Sequence, residues 1–305
     1  MTSTPQLPHW YPEGRTLELP GRGATWVHEL GGPGAAPASR FRVAAAPEPP
    51  TVFLLHGWTA TASLNWFPTF GPLSRHARVV APDHRGHGKG LRTTKRFRLE
   101  DCADDVVAIA DELGIDRFIA AGYSMGGPIA QLIWQRHPDR LAGLVLCATA
   151  SSFRGRPGEN VLFGVMGGLS VAARLTPERW RQQLSGRLID ERVDDSPSGQ
   201  WAGETMRTHD SRMIVEAGLA IGRFDSRPWI GGVDVPTAVL VTEFDGVVPS
   251  GRQRQLARRI PGADTFDIRG DHDVCVSRPE AFVPTLVEAV TSVAARAGRR
   301  DSLIA

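Results

Sequence analysis

The sequence predicts an α/β protein in which a mostly parallel sheet is covered by helices on both faces and interrupted by one helical insertion. Short, nearly unbroken apolar runs at 51–55, 79–81, 117–121, 141–147 and 237–241 read as strands buried on both faces. Amphipathic stretches separate them, as crossovers between parallel strands require. The alternation breaks between about 151 and 230, where helical pieces at 176–186 and 203–224 mix with glycine-rich turns. That segment reads as an inserted helical cap, leaving 1–150 and 231–305 as the core.

In chain order, 15–19 and 24–30 read as two antiparallel strands, and the Pro/Ala/Gly-rich stretch 31–50, with its GGPG, reads as a linker. Leu99, Cys102, Val106, Ile109, Ala110 and Leu113 recur at helical spacings among acidic residues, and Gly114 stops that helix. A second crossover helix runs from Met125 through Ile129 and Ile133 to His137-Pro138. After a further strand at 263–268, Phe282, Leu286, Ala289 and Val293 mark a C-terminal helix.

Composition excludes several classes. Of 305 residues, 41% are hydrophobic and 22% charged, which is ordinary for a globular chain. The 35 Lys and Arg are spread among 33 Asp and Glu, so no basic face suits nucleic acid, and Arg296, Arg299 and Arg300 read as a frayed tail. Three cysteines, Cys102, Cys147 and Cys275, sit in apolar surroundings and read as buried free thiols. The longest apolar stretch, 161–173, contains Ser170 and falls short of the roughly 18 residues that span a bilayer. Pro5, Pro8, Pro12 and Glu13 leave no apolar segment for a signal peptide, so a cytoplasmic protein is expected.

The chemistry centres on GYSMGG, Gly122 to Gly127. G-x-S-x-G alone is a weak pattern, but here it follows a strand and opens a helix, the setting of a nucleophile elbow. A serine hydroxyl needs a base to take its proton and a carboxylate to orient that base. Downstream, Asp245 in TEFDGVVP follows the strand 237–241, and His272 in GDHDVC follows the strand 263–268. Glu243, Asp271 and Asp273 are the competing carboxylates. An oxyanion needs preorganised N–H donors, for which the backbone of Met125 and of Trp58, after His56-Gly57, is placed. His56 braces that loop. DHRGHG, Asp83 to Gly88, reads as a structural turn with Asp83 and Arg85 paired, rather than as a metal site.

HGW, DHRGHG, GYSMGG followed by HPDRLAGLVL, a late Asp with VVP and a late His with RPEAF together resemble the α/β-hydrolase superfamily over nearly the whole chain except the cap. Within it the chain looks most like the esterase, lipase and enol-lactonase-like serine hydrolases. The resemblance implies an eight-stranded, mostly parallel sheet, a cap after the sixth strand, a triad of Ser124, Asp245 and His272, and no cofactor or metal. Two positions depart from the pattern. Such proteins often carry Gly three residues before the acid, where Thr242 stands, and His directly after Gly, where this chain reads Gly270-Asp271-His272. Haloalkane dehalogenases and epoxide hydrolases are similar but place Asp at the elbow, against which Ser124 argues.

The expected function is hydrolysis of a carboxylic ester or lactone through an acyl-enzyme on Ser124, with activity falling as His272 is protonated. Trp58, Tyr123, Phe163 and Met166 are the expected substrate contacts, with Val161, Leu162, Val165, Leu169 and Trp66 as further pocket candidates. The partner is then a small-molecule ester or lactone, largely apolar in its acyl or alcohol part. Nucleic acid and stable membrane insertion are not expected, and self-association into a homo-oligomer is compatible with the sequence. The same triad also serves acyltransferases, perhydrolases and carbon–carbon bond hydrolases, and the fold also serves low-turnover ligand-binding proteins.

Overall fold

The computed structural model describes residues 12–31, 49–155, 157–191 and 196–304; most of the 31–50 linker therefore lies outside the described residues. Eight strands form one sheet: β1 (Gly14–Leu19), β2 (Gly23–Leu30), β3 (Thr51–Leu55), β4 (Arg78–Pro82), β5 (Phe118–Tyr123), β6 (Leu141–Cys147), β7 (Thr237–Thr242) and β8 (Asp264–Ile268). Their order is β1-β2-β4-β3-β5-β6-β7-β8. β2 pairs antiparallel with β1 and β4, and all pairings from β4 to β8 are parallel. The central strands are buried on both faces, which is why their sequences are continuous apolar runs rather than alternating ones.

The helices are α1 (Ala62–Trp66), α2 (Phe70–Ser74), α3 (Leu99–Glu112), α4 (Gly126–Arg136), α5 (Pro157–Leu175), α6 (Glu178–Asp190), α7 (Pro197–Arg207), α8 (Ser211–Arg223), α9 (Ser250–Arg259), α10 (Val274–Ser277) and α11 (Pro279–Ile304). α3, α4 and α9 cover one sheet face, joined there by Phe163, Met166, Met213 and Ala217. α1, α2, α10 and α11 cover the other. α11 continues to Ile304 instead of fraying, and Arg296 pairs with Asp264 and donates to the carbonyls of Thr237 and Gly262.

α5 to α8 fall between β6 and β7. The single helix expected at 203–224 is two, because the Asp210 side chain accepts the N–H groups of Arg212 and Met213 and starts α8 afresh. The excursion closes on itself at its root. Ser152 and Asp225 form an isolated antiparallel bridge, and the Ser226 N–H donates to the Ser151 carbonyl at 2.8 Å. Among the described residues, no helix is long and apolar enough to cross a membrane.

Candidate active site

Ser124 stands between β5 and α4 with φ of 51°, in the left-handed region that a non-glycine residue occupies only where surroundings force it. The force is close packing. A Cβ at Gly122 would lie 2.2 Å from the Gly126 carbonyl oxygen, and one at Gly126 would lie 2.0 Å from that of Leu55. The Ser124 carbonyl accepts from Gly127 N–H at 2.9 Å and from the Thr149 hydroxyl at 2.8 Å, which fixes the turn.

β7 and β8 deliver the other two groups from their carboxyl ends. His272 Nδ1 lies 2.8 Å from Asp245 Oδ2 and donates to it, so Nε2 is bare and accepts from the Ser124 hydroxyl at 2.9 Å. The Asp245 side chain is fully buried. Its Oδ1 accepts from Val247 N–H (2.9 Å) and Val248 N–H (2.7 Å), and its Oδ2 from the Thr242 hydroxyl (2.7 Å) and Gln253 Nε2 (3.1 Å) as well as from His272. Of the competing carboxylates, Asp271 holds the two loops together: its Oδ1 accepts from Gly246 N–H at 2.9 Å and from its neighbour His272 N–H. Those two N–H groups keep its carboxyl below the usual carboxylate range. Glu243 pairs at 3.9 Å with Arg269, and Asp273 accepts from the Ser277 hydroxyl.

Gly57, at the mouth of the β3 loop, packs beside the nucleophile, a Cβ there lying 3.4 Å from the Ser124 Cβ. Trp58 follows Gly57 and Met125 follows Ser124 directly, and neither of their N–H groups, expected to hold an oxyanion, donates to a backbone acceptor outside the regular elements among the described residues. The loop is anchored by histidines. His56 Nδ1 donates to the Gly57 carbonyl and its Nε2 accepts from His84 N–H at 2.9 Å. From the inserted helices, His209 Nδ1 accepts from Gly88 N–H and its Nε2 donates to the Thr59 carbonyl at 3.1 Å. Thr59 itself has φ of 60°. Burial drives His56 and His87 well below their ordinary 6.5, His84 down to about 3 and His209 to about 4.

Other expectations are redirected. Arg85 does not pair with Asp83: it makes a bidentate contact with Asp105 on α3, at 2.7 Å through each nitrogen, and a third with Asp101. Asp83 instead accepts Ala62 N–H and Lys89 N–H, and burial pushes its carboxyl up to about 6. Tyr123 points away from the cleft. It packs against Trp66 and Phe282, and its hydroxyl donates to the His272 carbonyl at 2.7 Å, so it supports the base from below. Trp66 is fully buried in that same layer. Phe163 and Met166 are buried against Gly222 and Gly218 of α8, Met166 beside the Trp58 ring, whereas Val165 and Leu169 face outward at 56% and 52% exposure. The side chains of Val161 and Leu162 lie outside the described residues.

Trp58 donates its indole N–H to the Ile214 carbonyl of α8 at 2.8 Å, tying the loop to the inserted helices. A separate cavity of about 530 Å³ between the β1–β2 hairpin and α7 is lined by Glu13, Trp26, Asp83, Lys89 and Trp201, and neither Ser124 nor His272 borders it. Among the described residues, no three His, Cys, Asp or Glu side chains are grouped to hold a metal ion. The three cysteines are free and buried. Gln253 is not marked as functional by the sequence, and Asp271 enters there only as a competing carboxylate. Thr242, standing where a glycine is usual, is the sequence feature that bears on Gln253, because the two side chains are partners.

A mostly parallel eight-stranded sheet whose β2 runs antiparallel to both of its neighbours, with a strained serine turn after β5, is the α/β hydrolase arrangement, and the chain belongs to that family: the model of the alpha/beta hydrolase fold matches residues 50–279. Among its relatives, a putative carbamate hydrolase RutD from Caulobacter sp. (strain K31) is 29% identical over 261 residues, covering 80% of this chain and 92% of the relative. The crystal structure of the enol-lactonase from Burkholderia xenovorans LB400 superposes with a TM-score of 0.70 at 25% identity, covering 91% of this chain and 100% of that one. A thermophilic esterase from Thermogutta terrifontis shares the fold with a TM-score of 0.71 at 22% identity, covering 92% of this chain and 99% of that one.

Proposed function

We propose that the chain is a serine hydrolase that cleaves a carboxylic ester or lactone through an acyl-enzyme on Ser124. The observation that carries this is the continuous relay from Ser124 Oγ to His272 Nε2 (2.9 Å) and from His272 Nδ1 to Asp245 Oδ2 (2.8 Å). Ser124 Oγ attacks the carbonyl carbon while its proton passes to His272 Nε2. The oxygen that gains the electron pair is held by the N–H groups of Trp58 and Met125. Collapse expels the alcohol, which takes the proton from His272; water, deprotonated by the same nitrogen, then releases the acid and restores Ser124.

The segment 151–230 acts as a cap, and its Phe163 and Met166, with Trp58 of the loop after β3, supply an apolar wall. Tyr123 contributes by supporting His272 rather than by touching substrate. Similarity to an enol-lactonase supports the lactone half of this reading. Similarity to putative carbamate hydrolases favours a second substrate class, a carbamate, whose carbonyl undergoes the same attack with the alcohol or the amine leaving; the carbonyl stays on Ser124 until water releases it. Buried free thiols support a cytoplasmic location.

The test is turnover of p-nitrophenyl esters from acetate upward, a γ-lactone and a p-nitrophenyl carbamate, with wild type beside Ser124→Ala. We expect the substitution to lower kcat at least about 1,000-fold. A Ser124→Ala protein as active as wild type, or a folded wild type inert on every one of these substrates, refutes the reading.

A further inference from the structure

α9 begins at Ser250, just after the acid loop, and sets Gln253, Leu256 and Ala257, with Ile260 just past its end, on the face that packs against the sheet. Three of these are apolar and unremarkable as core. Gln253 is a fully buried amide in the same row, and a buried amide persists only where its hydrogen bonds are met.

All of them are met at the acid loop. Gln253 Oε1 accepts Thr242 N–H at 3.0 Å, and Nε2 donates to the Val248 carbonyl at 2.7 Å. Because one partner is a backbone donor and the other a backbone acceptor, the amide has a single orientation. Its remaining N–H is then aimed at the Thr242 hydroxyl (2.6 Å) and Asp245 Oδ2 (3.1 Å). The Thr242 hydroxyl, accepting from the amide, has its own proton free to give to Asp245 Oδ2 at 2.7 Å. A glycine at position 242 would supply no such hydroxyl.

We propose that Thr242 and Gln253 are positioning residues for the proton relay: together they hold Asp245 Oδ2 aimed at His272 Nδ1 and take up part of its charge. The proposal rests on the reading of Ser124, Asp245 and His272 as the relay. Gln253 fixes both ends of the acid loop, Thr242 at its start and Val248 at its end, so the carboxylate cannot swing without breaking the amide's bonds. The two donors also compete with His272 for the same oxygen. Without them Asp245 binds the protonated imidazole more tightly, and the acid limb of the rate profile moves to higher pH.

The experiment measures kcat, KM and the pH dependence of kcat/KM on the best p-nitrophenyl ester, per active site titrated with a fluorophosphonate. Thr242→Val, Thr242→Ser and Gln253→Leu are compared with wild type, and Ser124→Ala sets the background. Thr242→Val and Gln253→Leu are expected to lower kcat about tenfold per titrated site with KM within about twofold, and to shift the acid limb upward. Thr242→Ser, which keeps the hydroxyl, should restore most of the rate. A purely structural role would reduce the number of titratable sites and leave kcat per site and the limb where they are; that result overturns the proposal. Should Gln253→Leu fail to fold, Thr242→Val, equal in volume, decides alone. A wild type that neither turns over ester nor binds the fluorophosphonate removes the relay reading and this proposal with it, a result distinct from an active wild type matched by its variants.

Discussion

Lowering the pH from about 7.5 to about 5 should destabilise the fold through histidines held neutral beneath the loop after β3. His84 is 3% exposed, and burial pulls it from 6.5 to about 3. Between those values the unfolded chain binds a proton at this ring and the folded chain does not. The stability from keeping it neutral is therefore complete above 6.5 and is lost as pH falls toward 3. At about pH 5 the loss is about 2 kcal/mol, at about 1.4 kcal/mol per unit. Asp83 works in the opposite sense. Its carboxyl is raised from 3.8 to about 6, so its contribution is full below 3.8 and is lost as pH rises through 6. Acidification to about pH 5 thus returns about 1 kcal/mol. His56 and His87, each fully buried and driven well below 6.5, decide the balance because both add to the loss. Against a typical total of about 5–15 kcal/mol, a net loss of a few kcal/mol matters. The assay is thermal unfolding followed by circular dichroism at both pH values, with Tm expected to fall about 5–10 °C. A Tm unchanged within about 2 °C would refute the assignment of these rings as neutral and buried.

Three further outcomes are expected. Asp105→Ala removes the bidentate partner of Arg85, whose side chain is 6% exposed, and should cost about 3 kcal/mol in urea unfolding; a cost under about 1 kcal/mol would mean Asp101 suffices. Gly126→Ala drives a Cβ to within 2.0 Å of the Leu55 carbonyl oxygen, so the soluble folded yield should collapse, and a well-folded active variant would disprove the tight turn. Asp271→Ala deletes the acceptor of Gly246 N–H and should lower kcat several-fold while leaving the melting curve in place, as compared by paired kinetics and melts.

Much of the sheet and the site could be read from the chain because both depend on local signals. Parallel strands buried on both faces must be apolar at every position, so their boundaries fell within a residue or two of the structure. Ser124, Asp245 and His272 each follow a strand, and the strand ends bring them together. What stayed hidden was decided at long range. Asp83 is the nearest carboxylate to Arg85 in sequence, but the guanidinium fork finds Asp105 one helix away. Tyr123 could have been placed by alternation, since it shares a sheet face with Ile119 and Ala121 away from the cleft. Gln253 had no local mark, because a buried amide reads as a surface residue until its partners are known.

The bridge between Ser152 and Asp225 makes the excursion from β6 a detour whose exit and entrance are the same doorway. Chain added or removed inside the detour leaves those ends where they are, and each doubling of its length carries a loop-closure penalty of only about 0.6 kcal/mol. Ser124 is upstream of the doorway; Asp245 and His272 are downstream. Recombination between homologous genes at these two points would exchange α5 to α8 together, with Ser124, Asp245 and His272 carried in the flanking segments, and would give Trp58 and Thr59 new partners in place of Ile214 and His209. Chimeras spliced at 152 and 225 are accordingly the natural units in which to exchange the inserted helices of this molecule.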